Sequence, residues 1–428
     1  MRWLAVLSIL GVVACARQPK GPPATAFVGA RLIDGTGGPV IEDAALVVQG
    51  GRVVAAGARS DVPVPRGATV VDLTSKIVIP GLINAHGHAG DTRGLEAGHY
   101  SEENVLAQLS LYARYGVTTV MSLGGDGEPS VRLRDAQDTS SLNRARLYVA
   151  GSVVTAETPE SARQMVDHNV ALGVDLIKVR VDDNLGTARK MAPEVSRAVI
   201  DQAHQKGKRV AAHIFYLADA KDLLRSGVDL IAHSVRDGYV DPDLVSLLQQ
   251  RNVCYVPTLM REVSTFVYQS RPAFFDDPFF QREADTAVVR ALEDPRRQAR
   301  VQGDRAAQAY QRAIQTAKRN LKALFDAGVK IAMGTDTGPP ARFQGYFEHL
   351  ELEQMVDAGL TPMQALVAAT GDAALCLRLP SVGTLEPGKW ADFVVLDADP
   401  LVDIRNSRTV ASVYVAGNRV MAPRPPAP

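Results

Sequence analysis

Cysteine is nearly absent from this chain, with three in 428 residues. Cys254 and Cys376 sit in the apolar runs Val253-Cys254-Tyr255 and Leu375-Cys376-Leu377. They read as buried thiols, neither disulfide-bonded nor metal-ligating. Excess charge of one sign is absent too: 47 basic residues face 47 acidic ones. No long block of either sign occurs, so nothing draws the chain to nucleic acid or to an anionic membrane. A membrane-spanning run is also missing. The one apolar stretch near the start, Trp3 to Ala14, is too short to cross a bilayer. What remains is an ordinary globular composition, 46% apolar and 22% charged, in a chain too long for one small domain.

The first residues are an address rather than a fold. Met1-Arg2 is a minimal positive start, followed by the apolar core and then Val12-Val13-Ala14-Cys15. This resembles a bacterial lipobox, in which the cysteine becomes the acylated first residue. Residues 1–15 are thus expected to be a lipoprotein signal with Cys15 as the lipidation site, and residues 16–26 a flexible tether. The expected location is a bacterial cell envelope, with membrane contact only through the lipid anchor. A simple secretory signal cleaved nearby is the alternative.

Between residues 26 and 75 the chain reads as short strands. Ala45 to Gln49 and Arg52 to Ala56 flank Gly50-Gly51, a hairpin signal. The C-terminal end returns to this style in Asp392 to Asp397 and Val410 to Gly417. The expectation is a small β-sandwich domain built from 27–76 plus 385–422. Between them, apolar runs at 77–84, 117–123, 146–151, 174–181, 208–214, 228–233, 252–258 and 329–335 alternate with helical patterns such as Ser161 to Leu172, Ala192 to Lys206 and Asp241 to Gln250. Eight such strands suggest an α/β fold, a (β/α)8 TIM-like barrel over 77–384. A helical insertion at about 259–328 interrupts it. Its aromatic run, Phe274-Phe275 and Phe279-Phe280, looks exposed and could cover the barrel mouth or simply pack at the periphery.

Four of the eight histidines fall at the C-terminal ends of these strands. His86 and His88 end the first and point to one side, because strand side chains alternate faces. His213 ends the fifth strand, His233 the sixth, and Asp336 closes the eighth in Met333-Gly334-Thr335-Asp336. That rim is where barrel enzymes keep their reactive groups, and neutral imidazole with carboxylate suits a divalent metal such as zinc. Lys178 lies mid-strand among apolar neighbours. An inward ammonium there is costly unless paired, for instance with Asp182 or Asp183, or neutralised as a carbamate. His99 reads as surface or structural, His168 and His204 as solvent-facing, and His349 as a capping or packing residue.

With "IPGLINAHGH", "LIKV", "AAH", "GVDLIAHS", "AMGTD" and "GTLEPGKWADFVVLDADP", the chain from about residue 27 to 420 resembles the amidohydrolase superfamily, binuclear type. Within it the chain is most similar to bacterial prolidase-like, imidazolonepropionase-related members. It departs from them in Ala232-His233-Ser234, where such relatives often carry Glu-His-Gly, and in Arg180 after the lysine strand. The resemblance implies two divalent metal ions, zinc as the first expectation. His86, His88 and Asp336 would hold one and His213 and His233 the other, with N6-carboxylated Lys178 bridging them. It also implies amide hydrolysis by a metal-bridging hydroxide, with Asp336 as general base and then general acid.

The substrate is expected to be a small amide, an Xaa-Pro-type dipeptide or an N-acyl amino acid. Arg180, two residues beyond Lys178 and so on the same strand face, is a candidate for the substrate carboxylate, with a salt bridge to local aspartates as the alternative. Tyr216 is a candidate for holding the substrate carbonyl. A cyclic amidase of the imidazolonepropionase or dihydroorotase kind, a phosphotriester or lactone hydrolase, and a non-catalytic barrel serving as a scaffold are the rival readings. A homo-oligomer is compatible with all of them.

Overall fold

The two ends of the chain meet in one sheet. In the computed structural model, which describes residues 22–420, Thr25–Leu32, Ile41–Gln49, Arg52–Ala58, Thr69–Asp72 and Ile77–Pro80 join Phe393–Leu396, Val410–Val415 and Asn418–Arg419 in an eight-stranded sheet. Gly50 and Gly51 both carry positive φ, which lets the tight hairpin form without a Cβ clash. Alternation buries both faces of the first two strands. Phe27, Leu32, Leu46 and Val48 pack with Phe393 on one side, and Ala26, Val28, Ala45 and Val47 with Val62 on the other. The expected signal segment with Cys15, the start of the tether, and residues 421 and 422 lie outside the described residues.

The run expected as one strand over 77–84 divides at Gly81. Ile77–Pro80 stays in the composite sheet, antiparallel to Phe393–Leu396, while Leu82–Gly87 runs parallel to Val117–Ser122. Thr118 presses on the dividing residue: a Cβ on Gly81 would lie 2.1 Å from its Oγ1. Beside this crossing, buried Arg146 donates to Asp392 at 2.7 Å, tying the central body to the composite sheet.

The centre holds two parallel sheets. One contains Leu82–Gly87, Val117–Ser122 and Arg146–Val149; the other contains Leu176–Arg180, Arg209–His213, Leu230–Ala232 and Cys254–Val256. Backbone bonds link them on both sides: Val154 N donates to Lys178 O at 2.8 Å, Tyr255 N to Lys330 O at 2.9 Å, and Ala85 N to Met333 O at 2.8 Å. Helices lie between the strands where the capping residues predict them. Pro159–Leu172 starts on the Thr158 side chain and stops at left-handed Gly173, and Pro242–Gln250 starts on Asp241.

Three expectations need correction. The eighth strand, 329–335, is not a strand; Ile331 makes one isolated bridge to Tyr255. Backbone bonds still flank it, with Ala332 N donating to Tyr255 O and Thr335 N to His86 O, but the ladder is interrupted where Met333 N donates to Ala368 O and the Asn84 side chain bonds Thr335. The aromatics of the insertion are not exposed. Phe275, Phe279 and Phe280 are buried against Tyr115, Tyr346 and Phe347, since the segment folds back before its long helix Arg305–Asp326. Finally, Cys254 and Cys376 form a disulfide. Strand Cys254–Val256 and helix Gly371–Leu377 bring the two Cα atoms within 5.7 Å, and a sequence separation of 122 residues hid the pairing. Closing so long a loop restricts the unfolded chain, so replacing both cysteines by serine should cost about 2–4 kcal/mol of stability. A lower urea midpoint in the double variant, reproduced by dithiothreitol on the parent protein only, is the expected measurement.

Candidate metal centre

The strand Leu82–Gly87 delivers His86 and then His88 to the end of the parallel sheet. Gly334 allows the 334–336 segment to lie directly against it, because a Cβ there would sit 2.5 Å from Val256 Cγ1 and 2.9 Å from His86 Cβ. Asp336 follows with φ of 59°, in the left-handed region, and its backbone N donates to His86 O at 2.6 Å. His233 and Thr258 also have left-handed backbones. Such conformations are unfavourable for side-chain-bearing residues and gather where packing must aim a functional group.

The aim is consistent. Among the described residues, His86, His88 and Asp336 form a set whose ligand atoms all lie within 4.8 Å of one another. His88 Nε2 is 2.9 Å and His86 Nε2 3.5 Å from Asp336 Oδ1. Lys178 Nζ, fully buried, lies 3.5 Å from His86 Nε2. Imidazole rings of His86 and His233 are 4.5 Å apart, and those of His213 and His233 4.2 Å. All five, with Asp336, line one cavity of about 290 Å³ together with Arg180, Arg261 and Arg342.

The donor chemistry fits a cation. His88 Nδ1 is 3.0 Å from the Gly124 carbonyl, which accepts only if that nitrogen carries the proton. Nε2 then presents a lone pair to a carboxylate oxygen at 2.9 Å, a contact that requires a positive charge between or upon the two. Burial pushes the His86 and His233 imidazoles well below their usual pKa, and His213 down to about 3. They are therefore neutral, the ligand form. Burial pushes Asp336 up, but Arg342, His86 and His88 outweigh it and hold the carboxyl well below the usual range. Burial lowers Lys178 to about 7, so its amine is substantially unprotonated at neutral pH.

Several residues that sequence reasoning did not assign complete the arrangement. His213 Nε2 meets Asp182 Oδ2 at 2.8 Å, leaving Nδ1 as the nitrogen not engaged by that carboxylate. His233 Nδ1 meets Thr258 Oγ1 at 2.7 Å, leaving Nε2. Partners of this kind set ring orientation and tautomer in metal sites. Arg342 donates to Asp336 Oδ2. Behind the cluster, the Glu348 carboxylate accepts from Asn84, Thr335 and Thr337 at 2.6 to 2.9 Å, fixing the two segments that carry the ligands. Asp182 could have been read from its spacing, two residues beyond Arg180 and four beyond Lys178. Nothing in the local sequence marks Arg342 or Glu348.

Lys178 is bonded to neither Asp182 nor Asp183; those carboxylates hold His213 and the Tyr216 hydroxyl. Arg180 lines the cavity at its mouth. Tyr216 does not: its hydroxyl donates to Asp183 at 2.8 Å and Lys190 covers its ring. His349 is buried between Ser407 and the Tyr115 carbonyl, and His204 pairs with Asp229. His99 lies 3.6 Å from Glu96.

The amidohydrolase family profile matches residues 77–420. The chain belongs to the amidohydrolase family. Among curated relatives it is similar to an ochratoxinase of Aspergillus niger, 27% identical over 65% of this chain and 53% of that protein, so it spans about half that relative's length. A solved protein of Bifidobacterium longum, provisionally named a prolidase, superposes with a TM-score of 0.77 at 27% identity, over 95% of this chain and 97% of the other. A solved Xaa-Pro dipeptidase with methionine in its active site superposes with a TM-score of 0.74 at 22% identity, over 92% and 99%, and speaks for the fold. The amidohydrolase family generally uses a divalent metal, and this chain carries a His-His-Asp cluster at His86, His88 and Asp336.

Proposed function

We propose that this chain is a metal-dependent hydrolase that cleaves the carbon–nitrogen bond of a linear amide, an Xaa-Pro-type dipeptide or an N-acyl amino acid. One observation carries the reading: four histidines, a lysine and an aspartate, brought together from five separate segments of the chain, line a single cavity. We read the two parallel sheets and the 329–337 segment as a (β/α)8 barrel, and the shared terminal sheet as a β-sandwich. His86, His88 and Asp336 would hold one divalent cation, and His213 and His233 a second. Lys178, carboxylated on Nζ, would join them; its neutral amine and its lack of a carboxylate partner support this.

Bound divalent cations supply Lewis-acid polarisation of a carbonyl and acidification of a water. The protein's own groups do the rest. Arg342 keeps one Asp336 oxygen occupied, so the other faces the histidines. Asp336 takes a proton from the attacking water and passes it to the departing amine nitrogen, and amide plus water becomes carboxylate plus amine. Thr258 and Asp182 hold His233 and His213 in their ligand tautomers. Thr258→Val should therefore weaken cation binding roughly 10–100-fold, read by competition with a chelator of known affinity.

Zinc-loaded protein screened against dipeptides, N-acyl amino acids and lactams tests the reading. Turnover of linear amides is expected; turnover of lactams alone would replace it with a cyclic amidase. A fully metal-loaded, folded protein inert on every amide would sink it. The Cys254–Cys376 disulfide supports an oxidising compartment, and with Cys15 in a lipobox-like run we place the enzyme on the outer side of a bacterial membrane, held by a lipid anchor.

A further inference from the structure

We propose that Arg261, supplied by the helical insertion, reads the anionic group of the substrate. The proposal rests on the hydrolase reading above and names the substrate class of that same cavity. The cavity wall carries three guanidiniums, Arg180, Arg261 and Arg342, against one carboxylate, Asp336. That surplus suits a ligand bearing a negative charge.

The three arginines are not equivalent. Arg342 is already engaged by Asp336. Arg180 has 36% of its side chain exposed, donates to the Asn184 side-chain carbonyl and lies 3.7 Å from Asp182, the local salt bridge that was its alternative role. Arg261 is 9% exposed and braced. Its Nη1 donates to Glu262 Oε2 at 3.0 Å and its Nη2 to the Tyr310 hydroxyl at 3.1 Å, and the Tyr310 ring lies 4.2 Å from the guanidinium carbon. Its Nε is buried and has no hydrogen-bond partner. Burial works against the charge, but Glu262 and Tyr310 outweigh it and keep Arg261 ionised.

The neighbourhood strengthens the case. Glu262 is shared, since buried Arg236 approaches its other oxygen at 3.2 Å. One carboxylate thus serves two buried guanidiniums, and the other carboxylates that act on the pair, Asp336 and Asp182, are engaged by Arg342 and His213. A buried cation short of counter-charge is costly, and an anionic ligand offsets that cost. Arg261 lies in the first turn of helix Leu259–Phe266. Its backbone N donates to Thr258 O, the residue whose side chain holds His233, and Glu351 accepts from Leu259 N and Met260 N. A guanidinium held this way loses little freedom when it binds a carboxylate, whereas Arg180 must be ordered first. The insertion, through Arg261 and Tyr310, is then the specificity element of the cavity.

The experiment compares a dipeptide with its C-terminal carboxamide and reads the ratio of their kcat/KM values in metal-loaded protein. Arg261→Met should lower the carboxylate-to-carboxamide ratio at least about 30-fold, mainly through KM of the carboxylate substrate. Arg180→Met should lower it by less than the Arg261 variant does. Arg261→Lys should recover part of the loss, because charge is retained while the fork is not. Should Arg261→Met fail to fold, Tyr310→Phe removes one brace only and should lower the ratio about three- to tenfold. An unchanged ratio in the folded variants, or a larger effect from Arg180→Met, overturns the proposal. A parent protein that cleaves no amide at all sinks the hydrolase reading instead, so the two failures are distinguishable.

Discussion

Asp336→Asn should lower kcat/KM by about 10²–10⁴-fold while leaving the fold in place. The change keeps size and shape but removes the charge, and in the proposed mechanism three separate functions rest on that charge. Oδ1 faces His88 Nε2 at 2.9 Å and His86 Nε2 at 3.5 Å, where an amide is a far poorer cation ligand. Oδ2 is the partner of Arg342, whose guanidinium would be left without its carboxylate. The third function is the proton: an amide can neither accept one from the attacking water nor deliver one to the leaving nitrogen. Cation content and melting temperature measured beside the rate separate these effects. A variant with full cation content and a native melting curve that still turns over within tenfold of the parent removes Asp336 from proton transfer and leaves it as a ligand alone.

How far the site could be read from the chain depended on where each residue sits. His86, Lys178 and His213 lie on strands and His88 one residue past the end of one, where the two-residue period and apolar flanks predict both the face and the end. They occupy one cavity because parallel strands place equivalent ends on one rim. Thr258 and Arg342 lie in connections and Arg261 on the short helix Leu259–Phe266, where no strand period points a side chain at the site. Their roles follow from contacts across long separations, such as Arg261 with Tyr310, 49 residues away. Arg180 and Arg261 illustrate the difference. The spacing rule pointed to Arg180 because it shares a strand with Lys178, while the better-buried guanidinium arrives from an insertion whose path no pattern predicts. The disulfide escaped for the same reason, since apolar flanks report burial and say nothing about which buried neighbour is close. At 329–335 the pattern was strand-like and backbone bonds to Tyr255, Ala85 and His86 are made, but Met333 N turns to a helix carbonyl and the Asn84 side chain intrudes at Thr335, so tertiary contacts interrupt the local preference.

Lys178→Ala should be nearly as damaging as loss of Asp336, on the order of a thousandfold, about 4 kcal/mol of barrier, and the manner of its rescue tells what the lysine is. As an ammonium, Lys178 would be a buried charge whose nearest polar neighbour is His86 Nε2, itself a neutral base. Burial lowers the amine to about 7, so above that pH its lone pair is free to take up carbon dioxide, and below it the proton blocks the reaction. Two results follow if the proposed carbamate forms. In the alanine variant, short carboxylates such as acetate or propionate should restore activity and raise cation content, because they return the missing oxygens. Parent protein stripped of cations and carbon dioxide should recover with bicarbonate and zinc faster at pH 8 than at pH 6. Rescue by short alkylamines with no response to carboxylates would instead mean that Lys178 acts as a cation, and the second metal position would lose its bridge.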